Sequence, residues 1–121
     1  MVNVIPYEFV FDYLPSDITV RRMFGMHYIY WRKKIVMILR RRLNEPEFNG
    51  IWVATNRAHH ESLEKDVPDL GPFFWAGTEQ RGNWLLIQDG VDGFEEAAIK
   101  VCELISGGDP RIGNLTEKAP L

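Results

Sequence analysis

The chain has 121 residues, 45% of them hydrophobic and 26% charged, with a net charge of −3. That is one ordinary domain, large enough to bury a core without staples, and the single cysteine excludes both an internal disulfide and a cysteine-built zinc site. No apolar run approaches the roughly 20 residues that span a bilayer, and the first residues lack the basic and long apolar regions of a signal peptide, so a cytoplasmic protein with no membrane partner is expected.

Residues 6–14 are ambiguous. Tyr7, Val10, Phe11 and Leu14 follow helical spacing, while Tyr7, Phe9, Phe11 and Tyr13 alternate as in a strand. Pro6 at the first turn and Pro15 beyond the end punctuate a helix, which is the expectation here. From Ile18 to Arg42 the pattern changes to sheet. Ile18, Val20, Arg22 and Phe24 fall on one side of an extended chain, with Thr19, Arg21 and Met23 on the other. Gly25 marks a bend or bulge. Met26 to Trp31 resumes with bulky strand formers, Arg32-Lys33-Lys34 supplies a polar reversal, and Ile35 to Leu39 is apolar on both faces, as in an interior strand.

Leu43 to Gly50 reads as a loop, and Ile51 to Ala54 as a short strand. Thr55 or Asn56 can cap a helix running from Arg57 to about Asp66, with Ala58, Leu63 and His59 turned inward. Pro68 ends it. Residues 69–82 form a loop or short strand anchored by Phe73, Phe74 and Trp75, and Trp84 to Ile87 is a strand. The clearest helix runs from Gly93 to Ser106, with Phe94, Ala97, Ala98, Val101, Leu104 and Ile105 as its apolar stripe. Asp92 and Glu95 have capping-box spacing, and Gly107-Gly108 stops the helix. Cys102 lies on the buried stripe, as a small core side chain rather than a nucleophile. The tail from Ile112 onward is expected to fray.

Charge divides the chain unevenly: residues 1–60 carry a balance of +4 and residues 61–121 a balance of −7. A basic half of this kind can attract an anionic partner or simply form a soluble sheet edge. Its residues of interest are Arg21, Arg22 and Arg40, which would grip phosphates or carboxylates if they aligned across the sheet. Tyr28, Tyr30 and Trp31 lie between them in sequence, an order reminiscent of single-strand stacking platforms, but no nucleic-acid motif accompanies them.

Arg21-Arg22-Met23-Phe24-Gly25, followed by Tyr28-Ile29-Tyr30 and Lys34-Ile35-Val36-Met37-Ile38, resembles the N-terminal domain family of the TfoX competence regulators and, more loosely, the YjbR-like proteins. The likeness continues through Gly50-Ile51-Trp52-Val53 and Pro72-Phe73, covering about residues 7–105. It implies an α+β domain with an antiparallel sheet and packed helices, similar to type III secretion chaperones and generally non-enzymatic. The competence regulators carry a second domain for which these 121 residues leave no room, so their regulatory role is not expected to carry over on the fold alone.

No catalytic, metal or cofactor constellation is read. His59 and His60 point about 100° apart on a helix, the serines lack a nucleophile-elbow setting, and Glu95-Glu96 sits at a helix start where the dipole accounts for it. The expected protein is therefore a single α+β domain of about five antiparallel strands and packed helices, a small non-catalytic binding or regulatory module for a protein or small anionic partner. Arg21, Arg22, Arg40 and Trp75 are its candidate contact residues. Nucleic-acid association through the basic hairpin region and an undetected enzyme are the alternatives, and pairing of an outer strand with a second copy stays open.

Overall fold

The computed structural model describes residues 4–74 and 81–116. Seven strands and two helices follow one another as β1 (Thr19–Met23), β2 (Met26–Trp31), β3 (Lys34–Arg40), β4 (Gly50–Val53), α1 (His60–Asp66), β5 (Gly71–Phe74), β6 (Arg81–Gln88), α2 (Phe94–Ser106) and β7 (Asn114–Leu115). The strands form one sheet in the order β1-β2-β3-β4-β6-β5, with β7 paired to β3 beyond the end of β4. Every pairing among these strands is antiparallel. The chain is thus α+β, as its sequence patterns imply, with more strands than the expected five. The two beyond five are β5, which settles the loop-or-strand alternative at Gly71–Phe74 as strand, and β7, which at two residues leaves no pattern in the sequence.

The central hairpins fall where alternation puts them. β1 and β2 turn at Phe24 and Gly25, with φ of 53° and 74°, and β2 and β3 turn at Arg32 and Lys33, with φ of 53° and 64°. Two-residue turns with both central residues left-handed match the twist of the flanking strands. Glycine adopts that conformation freely, whereas Phe24, Arg32 and Lys33 do so against their side chains.

Pairing register sorts the side chains onto two faces. Ile29, Met37, Val53 and Leu85 stand opposite one another across β2, β3, β4 and β6, as do Leu39, Ile51 and Ile87. These belong to the main core, which α2 closes with Phe94, Ala97, Ala98, Val101, Cys102 and Ile105, and to which α1 adds Leu63. A register shift between Ile29 and Tyr30 leaves Val36 as the extra residue, so that Val36 and Met37, though adjacent, both join this core.

Three local expectations are corrected. The segment 6–14 is a short 3-10 turn, Glu8–Asp12, preceded by Tyr7 at φ 53°. Pro15 disfavours the helical conformation at Leu14, and too few residues remain between the prolines to offset helix nucleation. Tyr7 and Phe9 nonetheless pack against Phe94, with ring centroids 5.0 and 6.2 Å apart. The 57–66 segment opens as a 3-10 turn, Arg57–His59, capped by the Asn56 side chain, which accepts a bond from the Ala58 amide. That tighter turn shifts the helical phase, so His60 and not His59 is buried. At α2 the capping box does not form: Gly93 occupies the cap position and no side chain caps it. The tail is partly tied down, since Ile112 is buried and β7 is paired.

Candidate functional site

The second face of the sheet carries the candidate site. Tyr28, Ile38, Trp52 and Leu86 form one row across β2, β3, β4 and β6, and Phe73 joins them from the edge strand β5 in a second apolar cluster. Neither α1 nor α2 contributes to it. Phe48, from a 3-10 turn at Pro46–Phe48, stacks on Phe73 at 5.3 Å, and Trp52 meets Phe73 edge-on at 4.6 Å. The indole N–H of Trp52 donates to the Phe48 carbonyl at 2.8 Å, so this large ring is held at both ends and satisfied within an apolar setting.

Beside these rings lies a cleft of about 220 Å³, lined by Tyr28, Ile38, Trp52, Phe73, Gly82, Asn83 and Trp84. Burial, with the neighbouring Tyr30, holds the Tyr28 phenol above its ordinary value. It is therefore a neutral hydroxyl at the cleft wall throughout the physiological range. His60 fixes the strand that supplies the far wall: its Nε2 lies 2.6 Å from the Asn83 carbonyl oxygen, so that nitrogen carries the proton.

The residues singled out from sequence are distributed rather than gathered. Arg21 stands opposite Tyr28, on the aromatic face and exposed at the outer strand β1. Arg22 stands opposite His27 and projects to the other face. There burial, and then the nearby Arg22 charge, lower the His27 pKa and keep the imidazole neutral at pH 7. Arg40 is 3% exposed. Its guanidinium donates to the Asn44 carbonyl at 2.9 Å, the Glu45 carbonyl at 2.8 Å and Asn49 Oδ1 at 2.7 Å. The condition for a surface grip, Arg40 aligned with Arg21 or Arg22, is not met, because the Arg40 guanidinium is consumed in shaping the 41–49 loop. Trp75 lies outside the described residues.

Trp52, Phe73 and Trp84 were not among the sequence candidates for contact, and Tyr28 entered only as one of three aromatics for stacking nucleic-acid bases. The available signal was Ile51-Trp52-Val53, a strand apolar on both faces, which requires something to cover or use each face. Among the described residues no group of three or more His, Cys, Asp or Glu could hold a metal ion, and no helix is long and apolar enough to cross a membrane. No family model matches the chain, and neither a curated protein nor a solved structure matches it.

Proposed function

We propose that the chain is a small binding or regulatory domain whose aromatic sheet face engages a protein partner through an apolar anchor, with Arg21 receiving a carboxylate or other anionic group beside it. The observation that carries this reading is the cleft among Tyr28, Trp52, Phe73 and Trp84, on the face to which neither helix contributes. Its 220 Å³ is below the ~300–1,000 Å³ of small-molecule pockets and suits one or two inserted side chains. Aromatic and arginine side chains are also those most enriched where binding energy concentrates. The likeness to TfoX N-terminal domains and, through them, to type III secretion chaperones supports a protein-binding role in the cytoplasm.

Nucleic-acid association is the weaker alternative. Tyr30 is buried, and Trp31 packs on the helix-side core with its indole N–H bonded to Asp17, so the three aromatics do not form one stacking row. The test is affinity capture from native lysate followed by reconstitution with the purified partner. Trp84→Ser and Arg21→Glu are each expected to weaken the reconstituted complex about tenfold or more, as loss of an anchor does. Equal affinity for both variants and the wild-type chain would remove the aromatic face from consideration.

A further inference from the structure

A second surface lies at one end of the sheet, where the β1–β2 turn meets the 41–49 loop. Two large apolar side chains protrude there: Phe24 is 79% exposed and Leu43 100% exposed. The loops are neighbours, because Arg42 Nη1 donates to the Phe24 carbonyl at 3.4 Å. Arg41 and Arg42 immediately precede Leu43, are themselves exposed, and border with it an open hollow of about 400 Å³ that Pro46, Asn49 and Asp89 complete.

The loop bearing Leu43 is held in a defined shape. Arg40 binds two of its carbonyls and Asn49 from within. Asn49 accepts from the Arg42 amide at 2.9 Å and donates to the Arg42 carbonyl at 2.8 Å. Glu45 and Phe24 both take left-handed backbone, at φ 49° and 53°. Burying a guanidinium to order a surface loop is costly unless each hydrogen bond is made, and here the bonds end on that loop. A hydrogen-bonded loop that displays an unshielded leucine directly after two exposed arginines has the attributes of a preorganised contact surface.

We infer that this end of the sheet docks an acidic segment of a partner protein, with the partner's apolar side chains against Phe24 and Leu43 and its carboxylates on Arg41 and Arg42. The guanidinium fork matches a carboxylate. The carboxylates of this end set the register: Glu45 and Glu47 follow along the loop, and Asp89 is taken up by the Tyr7 hydroxyl at 2.9 Å. Those same acids disfavour an anionic bilayer, which would meet them together with the arginines. This surface is separate from the aromatic cleft, so either can fail without the other.

The probe is a synthetic peptide of alternating glutamate and leucine, titrated into the isotope-labelled full chain and followed by amide shifts. Its lysine-for-glutamate and serine-for-leucine analogues, and phosphatidylserine vesicles, are run in parallel. Shifts are expected at Phe24, Arg41 and Leu43, with about tenfold weaker binding for Arg41→Gln, for Leu43→Ser and for either analogue. Leu43 is fully exposed, so its variant keeps the fold, and an unchanged spectrum for core amides checks this. Arg40→Met leaves every contact residue in place and should weaken binding while speeding amide exchange in residues 41–49. The inference is overturned if the peptide does not bind, if it shifts only the aromatic cleft, if the lysine analogue binds equally, or if vesicles alone engage Phe24 and Leu43.

Discussion

Gly50 is the position at which a single atom would do most damage. It sits at φ 141°, and a Cβ there would run into the Ile87 carbonyl oxygen of the neighbouring strand. Gly50→Ala is expected to destabilise the fold by about 3 kcal/mol or more in denaturant unfolding, because both backbone and neighbour are fixed. Cys102 shows the opposite, a reactive group made inert: burial pushes its thiol up to about 12, with Glu103 adding to the effect. A thiol reagent at pH 8 should leave the native chain unlabelled and modify it fully once unfolded. Arg111 bonds Asp109 at 2.7 Å, Asp66 at 2.9 Å and Ser62 at 3.2 Å, joining α1 to the segment after α2. The side-chain bond from Arg111 holds the Asp109 carboxyl below its ordinary 3.8, with burial opposing it. Because the folded pKa is the lower one, this stabilisation is present above about pH 4 and is lost as pH falls through the folded value. Thermal melts of Asp109→Asn should therefore depend less on pH than wild type below pH 4. His27 adds an earlier loss of the same sign below pH 6.5, since its imidazole is held neutral when folded.

The 41–49 loop is the element in which sequence and structure diverge most. Arg40 reads as a contact residue alongside Arg21 and Arg22, yet the sheet ends with Arg40 turned under the loop, and Arg41 and Arg42 lie outside it. Replacing Arg40 by Met removes three charge-assisted bonds to the loop, at a cost of about 3 kcal/mol in unfolding free energy. If the variant proved as stable as wild type, the guanidinium would not be organising the loop. The hairpins from Thr19 to Arg40 were legible because alternation, β-branching and a turn glycine all pointed the same way. The turn at Glu8–Asp12 and the phase of α1 were not, because stretches this short are set by what they pack against: Phe94 for the first, the strand at Asn83 for the second.

At the scale of the molecule, one sheet divides the apolar residues described into a core closed by α2 and a smaller aromatic cluster to which neither α1 nor α2 contributes. The division was only half visible beforehand. Alternation says which residues of one strand share a face, but the row Tyr28–Ile38–Trp52–Leu86 exists only once register aligns four strands. Alternation did place Arg21 and Arg22 on opposite faces, as the register has them, but it could not show that Arg40 is buried in a network of its own. A photo-crosslinking side chain placed at Trp84, compared with one at Glu96 on the exposed side of α2, tests most directly whether the aromatic face is a binding face. A discrete adduct in cells from position 84, absent from position 96 and competed away by the wild-type chain, is the predicted result. Indistinguishable crosslinking from the two positions would contradict it.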